Sequence, residues 1–458
     1  MSTITRSSES LGSRPRSRRP PGPWGPLHYL RMVQAPLAYF QSLREQYGPI
    51  VRVPLGPLTA YLVSDPDAIQ HVLKDNAANY TKDTVEYQHL MQQVMGRSLL
   101  TSDGAYWRRQ RRLLQPAFDR ASLERYANQV SEATTEWLDR LPLDKPFDIA
   151  RELRRLALTI IGRCLFSADF LPDSDRIGRA VDEVNATGGC HLKTVLSYIP
   201  GCRGPYRTAV GTLDQLMRLL IQERRAKPGP DDMLSLLLDA TDEETGRPLT
   251  DDQIRNELVT FLLAGHETTA GVLSWAVWML ARHPESERTL LAELQTVLGG
   301  RSPTGDDLPR LPYTNAVFQE AMRLYPPIWV IPRRATEADE LCGYVVLPGT
   351  SLMMSPYVVH RDPALWNDPD AFRPERFLDA TATTRPGFAF FPFGGGPRTC
   401  IGGGFAKLEG GLILSALMQR FHVQVDPRHR VVAKPGVTLQ PYYGIRVMLS
   451  PRTSGDDA

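Results

Sequence analysis

The spacing of apolar residues predicts a chain that is mainly helical in its middle. Helical periodicity is clearest in four segments: Leu123–Leu141, Ile149–Phe166, Val210–Arg225 and Asp251–Arg282. Apolar residues three and four positions apart form one face of a helix, which a folded protein buries. The fourth segment is far longer than an average helix, begins with two acidic residues and stops before Pro284. We therefore expect an α-rich core that one long helix crosses.

Short β-prone runs lie on either side of this helical region. Near the start, Ile50–Val53 and Ala60–Val63 are rich in branched residues, and Gly56-Pro57 between them predicts a hairpin turn. Similar runs return later in the chain, at Gly343–Leu347, Ser351–Met354 and Val437–Leu449. The sequence has no internal repeat and no flexible mid-chain linker. The simplest fold class is therefore a mainly α, single-domain protein with a minor β part.

Charge and composition narrow the range of partners. The 458 residues include 53 basic and 51 acidic ones, and a formal net charge of +2 predicts no attraction to nucleic acid. The five cysteines are scattered and never spaced as C-x-x-C, which favours a reducing compartment, the cytoplasm, over a disulfide-bonded or zinc-binding protein. The most apolar window, Leu258–Ala281, is interrupted by four polar residues, so we expect no membrane anchor. We also expect a monomer.

The two ends are expected to lie outside the folded domain. Residues 1–19 contain five arginines, many serines and one acidic residue, Glu9, and run into the stiff segment Pro20-Pro21-Gly22-Pro23. This composition is typical of a disordered tail, although a Ser/Arg-rich start is also compatible with an organelle targeting peptide. We assign residues 1–19 and 452–458 to disordered tails and residues 20–451 to the domain.

The strongest chemical signal lies at the end of a long, aperiodic loop, residues 355–399. The loop leads into Phe393-Gly394-Gly395-Gly396-Pro397-Arg398-Thr399-Cys400-Ile401-Gly402, and a helical segment, Phe405–Phe421, follows. Glycines let a backbone approach a flat ligand closely, and a helix N-terminus favours a thiolate. Cys400 is therefore a candidate thiolate ligand of a metal. A plain buried cysteine after a glycine-rich turn is the alternative.

This segment resembles the haem-binding loop of the cytochromes P450, F-G-x-G-x-R-x-C-x-G, at every fixed position. Six such identities occur by chance at roughly one site in a hundred million. The resemblance implies that Cys400 ligates the iron of haem b (iron protoporphyrin IX) and that Phe393, Arg398 and Gly402 belong to the cofactor site. It also implies a triangular, mainly helical fold with haem between the long helix and the cysteine loop.

Two further segments resemble a charged network of the same family. Glu320 and Arg323 match its E-x-x-R helix motif, and Pro374-Glu375-Arg376-Phe377 matches its P-E-R-F element. Residues three positions apart share one face of a helix. The resemblance implies that Glu320, Arg323 and Arg376 form a structural network, which a protein interior tolerates only when it is fully paired. Alone, such a pair would mean little, because E-x-x-R is common on solvated helices.

The middle of the long helix resembles the family's oxygen-activation motif, A-G-x-E-T-T. The matching residues run from Ala264-Gly265 through Glu267 to Thr268-Thr269, and His266 occupies the variable position and receives no role. The resemblance implies that the small residues leave room over the iron for dioxygen. It also implies that Thr268 donates a hydrogen bond to bound oxygen while Glu267 relays protons. The alternative is that Thr268 only bonds to a carbonyl group of its own helix.

Haem propionates need cationic partners. Trp107 and Arg111 resemble the family's W-x-x-x-R helix, and their spacing places both on one helical face. Arg398 and Arg333 are the other matched candidates. Arg334, beside Arg333, is an equally plausible donor, so the choice between these two stays open.

The resemblance also implies a substrate pocket. By analogy it draws on segments 84–99 and 186–205 and on seven mostly apolar residues: Phe261, Ala264, Gly265, Ile328, Val330, Ile331 and Tyr442. An apolar lining predicts a lipophilic small molecule of terpenoid, steroid, fatty acid or polyketide type, which the enzyme hydroxylates or epoxidises with dioxygen. Each of these residues is equally compatible with plain core packing.

Electrons are expected from a separate protein. Only 58 residues follow Cys400, so we expect NAD(P)H to act through a reductase and a ferredoxin or flavodoxin. The helix bearing Trp107 leaves Arg108, Arg109 and Arg112 free to face outward, which predicts a docking patch for an acidic partner. A solvated arginine face without a partner is the alternative. A haem-thiolate sensor and a peroxide-driven enzyme are two other functions, and the retained acid–alcohol pair counts against both.

Overall fold

The computed structural model describes residues 19–452, except residue 26 and segments 56–57, 85–86, 88–90 and 189–203. The α-helices of the described residues are α1 (Leu27–Gln34), α2 (Pro36–Tyr47), α3 (Pro66–Gln70), α4 (Gln92–Met95), α5 (Gly104–Leu114), α6 (Arg120–Leu138), α7 (Ile149–Phe166), α8 (Ser174–Gly188), α9 (Gly204–Ala226), α10 (Met233–Asp239), α11 (Asp251–Leu280), α12 (Pro284–Leu298), α13 (Pro312–Leu324), α14 (Pro356–Val359), α15 (Thr381–Thr384) and α16 (Gly403–Arg420). Helices therefore dominate the structure, and the predicted class, mainly α with a minor β part in one domain, is confirmed.

The strands form one larger sheet and several small ones. They are β1 (Ile50–Leu55), β2 (Leu58–Val63), β3 (Tyr80–Thr81), β4 (Phe147–Asp148), β5 (Thr241–Asp242), β6 (Arg247–Pro248), β7 (Ile331–Ala335), β8 (Asp339–Leu341), β9 (Tyr344–Val346), β10 (Ser351–Met354), β11 (Phe421–Val425), β12 (Ala433–Pro435), β13 (Leu439–Pro441) and β14 (Arg446–Pro451). The larger sheet has the order β1-β2-β10-β7-β3. The predicted hairpin is observed, since β1 and β2 pair antiparallel with Ile50 opposite Val63. Its turn, Gly56-Pro57, lies outside the described residues.

The long helix α11 is the centre of the fold. The Thr250 hydroxyl accepts the Gln253 N–H at 3.2 Å, and the Gln253 side chain accepts the Thr250 N–H at 2.9 Å. These bonds satisfy N–H groups that the start of a helix would otherwise leave unpaired. Most α11 side chains are buried, among α7, α9, α13 and α16. Every helix of the described residues, α11 included, is too short or too polar to cross a lipid bilayer.

Local caps and turns shift some element bounds away from the predicted ones. Helix α7 has the predicted bounds, but α6 begins at Arg120, because the Asp119 carboxylate accepts the Ser122 N–H at 2.8 Å. The run Val437–Leu449 divides into β13 and β14, and Gly444 in the intervening turn has a φ of +70°. Such a left-handed conformation favours glycine.

Three clusters of buried apolar side chains hold these elements together. The largest surrounds α11. The second packs one face of the larger sheet against α3 and the π-helical turn His71–Asp75. The third packs α1 and α2 against the opposite face of that sheet, as the alternation of side chains along β1 and β2 requires. The cysteine loop lies between the first two clusters.

Candidate active site

A cavity of about 1230 Å³ separates α11 from the loop that carries Cys400. Ala264 and Thr268 line it from α11, and Phe393, Cys400 and Gly402 line it from the loop. Most of the lining is apolar. Candidate catalytic and cofactor residues that are far apart in the sequence therefore meet at one internal space.

Glycines shape the loop before Cys400. Gly394 and Gly396 have φ values of +70° and +64°. A Cβ atom on Gly396 would lie 2.0 Å from the Leu73 carbonyl oxygen in the π-helical turn, so no other residue fits there without moving the backbone. The Cys400 N–H donates to the Phe393 carbonyl at 3.0 Å. This arrangement presents the Cys400 side chain to the cavity, three residues before α16 begins.

The electrostatic environment of Cys400 contains opposing effects. Protein surrounds the cavity, so the Cys400 side chain is exposed to that internal space rather than to bulk solvent. Burial raises the pKa of the Cys400 thiol, whereas the Gly402 N–H and the charges of Arg111 and Lys82 lower it. Hydrogen bonds and cations stabilise a thiolate. The loop thus supplies the groups that a thiolate ligand requires.

Two arginines and a tryptophan from the predicted cofactor set lie together beside the cavity. The Arg398 guanidinium lies 4.0 Å from the centre of the Trp107 ring, and one of its nitrogens pairs with Asp103. Its other terminal nitrogen, Nη1, is buried and has no hydrogen-bond partner among the residues that the structure describes. Burial lowers the pKa of Arg398 to about 10. Arg111 also lines the cavity and donates to the Thr399 carbonyl at 2.9 Å.

The structure shows which of the two remaining candidates, Arg333 and Arg334, can contact a cofactor. Arg333 is buried and lines the cavity. Arg334 points away from it and pairs with Asp83 at 3.3 Å on the surface. Alternation along β7 explains the difference, since adjacent residues of a strand face opposite sides. Arg333 is therefore placed to contact a cofactor, and Arg334 is not.

Lys82 is a cavity residue that the sequence analysis missed. Its ammonium group is buried, donates to the Leu100 carbonyl at 2.8 Å and lies 4.7 Å from the Tyr87 ring. Burial lowers the pKa of Lys82, and the nearby charges of Arg333 and Arg398 lower it further. A lone lysine in an irregular segment gives no motif by which it could have been found.

These groups fit haem. A buried cluster of like charges is unfavourable until anions neutralise it. The two carboxylates of haem would match the cluster formed by Lys82, Arg333 and Arg398, including the unpartnered Nη1 atom. The flat macrocycle would occupy the space between α11 and Cys400. The cationic cluster would neutralise the carboxylates of haem and the Cys400 thiolate would bind its iron, so both groups suit the same cofactor.

Comparisons with known proteins agree with this chemistry. Residues 19–445 match the family model described as Cytochrome P450. The chain belongs to the cytochrome P450 family. Its relatives include cyclooctatin synthase of Streptomyces melanosporofaciens, 37% identical over 90% of this chain and 91% of that protein. Pentalenene oxygenase of Streptomyces avermitilis is 33% identical over 93% and 96%, and cyclooctat-9-en-7-ol 5-monooxygenase of S. melanosporofaciens is 35% identical over 87% and 88%.

Membership of the cytochrome P450 family identifies the type of reaction. The protein is a monooxygenase, an oxidoreductase that incorporates oxygen into its substrate, and haem is the cofactor of the family. A substrate, dioxygen and a redox partner are the general reaction partners of such an enzyme. The match covers nearly the whole of the described chain, so the P450 fold accounts for both the helical core and the cysteine loop.

Thr268 of this P450 is half-buried and lines the cavity, and its hydroxyl donates to the Ala264 carbonyl at 2.7 Å. The alternative considered for this residue, a bond within its own helix, is therefore present. That bond uses the hydroxyl proton but leaves the oxygen lone pairs available on the cavity side. The same side chain can thus take part in a hydrogen-bond chain that ends in the cavity.

Glu267 is buried and held by two residues outside its helix. The Thr438 hydroxyl donates to its carboxylate at 2.9 Å, and the Asn185 amide approaches it at 3.2 Å. Burial raises the pKa of Glu267 to about 7, although both contacts lower it. A carboxyl group with such a pKa can gain and lose a proton near neutral pH. Asn185 and Thr438 were not found from the sequence, because each is an ordinary polar residue without a motif.

Gly265 has a packing role that the sequence analysis did not identify. A Cβ atom there would lie 2.5 Å from the Ile161 side chain of α7. Helix α11 continues through this position without a break. The small residue therefore lets Ile161 of α7 pack directly against α11, and a larger residue would displace that side chain.

The predicted charged network is brought together in the interior. Arg323 donates to the two Glu320 oxygens at 2.6 and 2.7 Å, and Arg376 Nε donates to Glu320 at 3.1 Å. The backbone N–H of Arg373 donates to the same carboxylate at 2.9 Å. Glu320 and Arg323 have no exposed surface. The network lies away from the cavity lining, as expected for a structural rather than a catalytic role.

Most predicted pocket residues line the cavity, with one exception. Phe261, Ala264, Gly265, Ile328, Val330 and Ile331 are all in the lining. Tyr442 is not: it is 52% exposed and packs edge-on against Tyr443. The turn after β13 carries Tyr442 outward, and the segment from Val432 to Thr438 lines the cavity in its place. Within the predicted segment 186–205, residues 189–203 lie outside the described residues.

The predicted docking arginines are not all unpaired. Arg109 pairs with Glu244, and Arg112 pairs with Glu243 at 3.0 Å. Both acids belong to the turn between β5 and β6, which the sequence did not place beside α5. The docking patch therefore stays a prediction, and two of its three arginines already pair with acidic residues of the same chain. Arg108 and Arg112 are exposed, and Arg109 is mostly covered.

Proposed function

We propose that this P450 hydroxylates or epoxidises a lipophilic molecule of terpenoid type. The observation that carries the proposal is the largely apolar wall of the cavity, from Phe261 to Val330 and Ile331, beside the cysteine loop. The names pentalenene oxygenase and cyclooctat-9-en-7-ol 5-monooxygenase support the terpenoid class among the four expected. A polar substrate would lose its hydration in such a cavity without regaining hydrogen bonds.

The proposed cofactor is haem b, held by Cys400 at the iron. Its propionates would be bound by Lys82, Arg333 and Arg398, with Trp107 and Arg111 supporting the same side. Bound haem supplies the oxidising chemistry, since a thiolate ligand favours cleavage of the O–O bond. Phe393 and Gly402 flank the cysteine on the cavity wall.

Glu267 and Thr268 are the proposed proton path. Glu267 takes a proton from the side where Asn185 and Thr438 lie, and its pKa near 7 lets it release that proton towards the cavity. The Thr268 oxygen is the next acceptor on the cavity side of α11. Each transfer keeps the carboxyl group within an existing set of hydrogen bonds, which lowers the cost of moving charge in a buried site.

A separate redox protein is the proposed electron source. We infer that NAD(P)H acts through a reductase and an acidic ferredoxin or flavodoxin, which docks on α5 at Arg108, Arg109 and Arg112. The two ion pairs with Glu243 and Glu244 reduce the positive charge of that face without covering Arg108. Steering by this face should therefore be moderate and sensitive to salt.

The remaining expectations are proposals of the same kind. We propose that residues 20–451 act as one monomeric domain between two tails, and that the enzyme works in the cytoplasm. Scattered cysteines support the reducing compartment, and Cys164 is buried and free of any disulfide within the described part of the chain.

A spectral titration tests the proposed substrate class. The haem-loaded enzyme is titrated with a library of terpenoids, steroids, fatty acids and polyketides, and the Soret band is followed for the low-spin to high-spin shift. A terpenoid should shift the spectrum at the lowest concentration and be oxygenated when an electron donor is supplied. Preferential binding of another class would overturn the terpenoid assignment. Faster turnover with peroxide than with an electron donor would instead support a peroxide-driven enzyme.

A further inference from the structure

A tight turn between two short strands contacts both the cavity and the proposed proton path. We call Gly436, Val437 and Thr438 the β12–β13 turn, and all three residues line the cavity. The Gly436 N–H donates to the Thr438 carbonyl at 3.0 Å and closes the turn. The Thr438 hydroxyl donates to the Glu267 carboxylate. The position of the turn therefore decides whether this donor reaches Glu267.

Asn185, the other donor to Glu267, rests on the same turn. Its Oδ1 atom accepts the Thr438 N–H at 3.0 Å, and its Nδ2 atom donates to the Thr438 hydroxyl oxygen at 2.9 Å. Gly436 packs directly against Asn185, because a Cβ atom at Gly436 would lie 2.4 Å from that Oδ1 atom. Both side chains that bind the Glu267 carboxylate thus depend on where the β12–β13 turn lies.

A tryptophan side chain holds the β12–β13 turn in place. The indole N–H of Trp329 donates to the Gly436 carbonyl at 2.9 Å. Just after the turn, the Leu439 N–H donates to the Pro327 carbonyl at 2.8 Å. The Trp329 carbonyl accepts the Ser355 hydroxyl at 2.7 Å, directly after β10. The segment before β7 therefore ties the turn to the larger sheet.

Trp329 also belongs to the cavity wall. Its ring is half-buried, lines the cavity beside Ile328 and Val330, and lies 5.8 Å from the Phe40 ring between ring centres. The sequence analysis assigned Ile328 and Val330 to the pocket and gave Trp329 no role. One side chain therefore borders the substrate space and bonds to the turn that carries Thr438.

We propose that Trp329 is a positioning residue for the proton path. Its indole N–H holds the Gly436 carbonyl, so that Asn185 and Thr438 stay on the Glu267 carboxylate while a proton moves. Loss of one neutral hydrogen bond shifts an equilibrium about fivefold. Without this bond, more of the reduced dioxygen should leave as hydrogen peroxide, which takes up the same electrons and protons as the water that accompanies product. The inference rests on the proposed function of Glu267 and Thr268.

Trp329→Phe tests the hydrogen bond, because phenylalanine keeps an aromatic ring on the wall but has no N–H donor. Haem-loaded enzyme is supplied with dioxygen, NAD(P)H, a redox partner and a saturating substrate, and product and peroxide are measured. The ratio of product to peroxide should fall about fivefold, with haem content as in the parent. The control Trp278→Phe makes the same change at a half-buried tryptophan outside the described cavity lining, and should keep the parent ratio. An unchanged ratio in Trp329→Phe would overturn the proposal.

Turnover with iodosylbenzene separates a positioning role from general damage to the cavity. This compound transfers an oxygen atom to the substrate and needs neither external electrons nor protons. Trp329→Phe and the parent should therefore form product at equal rates with it. Slower product formation by the variant would show that the substitution distorts the cavity, and the positioning role would be wrong.

A double-mutant cycle tests whether Trp329 acts through the turn. Thr438→Val removes the hydroxyl that binds Glu267 and should lower the ratio of product to peroxide by itself. Trp329→Phe combined with Thr438→Val should lower it by less than the product of the two single effects. Multiplicative effects would show that the two residues act independently, against the proposal.

Two further variants complete the test. Gly436→Ala should also lower the ratio, because its Cβ atom would displace Asn185. If Gly436→Ala keeps the parent ratio, the position of the turn does not matter and the proposal fails. If Thr438→Val and Thr268→Ala both keep that ratio, the proposed proton path itself fails. If those two variants release more peroxide and Trp329→Phe does not, only the positioning role fails.

Discussion

Removal of the Glu320 carboxylate should destabilise the protein without altering the chemistry of the cavity. In Glu320→Ala, Arg323 and Arg376 lose their common partner while remaining almost fully buried. Loss of one member of a buried charged network costs about 3–5 kcal/mol. Arg323 keeps bonds to the carbonyls of His360 and Pro369 at 2.8 and 2.6 Å, which favours the lower end of that range.

This cost is a large share of the total. A typical free energy of unfolding is about 5–15 kcal/mol, and a loss of about 3 kcal/mol raises the unfolded fraction more than a hundredfold. We therefore expect little haem-loaded Glu320→Ala protein. Urea unfolding is followed by circular dichroism, together with the haem content per chain. Glu124→Ala is the control, because it breaks an exposed ion pair with Arg120 and should change stability by less than about 1 kcal/mol.

A double substitution lessens the charge imbalance that Glu320→Ala creates, although Arg376 still loses its carboxylate partner. Glu320→Met combined with Arg323→Met replaces the buried pair with apolar groups, which is often close to neutral for stability. We expect the double variant to regain part of the loss seen in Glu320→Ala. Normal stability and normal haem content in Glu320→Ala, with turnover abolished, would refute the structural role and assign the network to catalysis.

Three further predictions concern the proton path and the docking face. Thr268→Ala should continue to consume reductant but release more peroxide and less product. Thr268→Ser, which keeps the hydroxyl, should still couple reductant consumption to product formation. If the alanine variant forms as much product per reductant as the parent, the hydroxyl is dispensable. Burial raises the pKa of Glu267 from 4.5 to about 7. The buried carboxyl group therefore does not destabilise the fold below about pH 4.5, destabilises it increasingly between pH 4.5 and about pH 7, and has its full destabilising effect above about pH 7. The difference in free energy of unfolding between Glu267→Gln and the parent should therefore be roughly 3 kcal/mol more favourable to the variant at about pH 8 than at about pH 4. Urea unfolding at both pH values measures it, and a difference that does not change with pH would contradict this prediction. Arg108→Glu combined with Arg112→Glu should slow reduction of the enzyme by a ferredoxin and lessen the salt dependence of that rate, whereas the rate of reduction by dithionite should not change. The control Arg288→Glu should be reduced by the ferredoxin at the parent rate. If the double variant is also reduced at the parent rate, the partner docks elsewhere.

Much of the site was predictable because its residues are adjacent in sequence. The cysteine loop and the segment from Ala264 to Thr269 are contiguous, so both could be matched to motifs of the cytochromes P450. The long helix was predictable because signals in the local sequence mark both ends: a polar start, which Thr250 caps, and Pro284 after the last turn.

The rest depends on tertiary contacts that no local pattern encodes. Lys82 follows directly after β3, and it lies near Arg333 because β3 pairs with β7. Asn185 and Thr438 reach Glu267 from positions far away in the chain. The choice between Arg333 and Arg334 likewise required the register of β7, because a strand turns adjacent residues to opposite sides.

The proposed function depends most on Cys400 as the iron ligand. The direct measurement is the absorption spectrum of the dithionite-reduced enzyme with carbon monoxide. The parent, Cys164→Ser and Cys342→Ser should all show the strongly red-shifted Soret band of a thiolate-ligated haem, and Cys400→Ser should lose it. If Cys400→Ser keeps that band, another residue holds the iron and the proposed role of the cysteine loop is wrong.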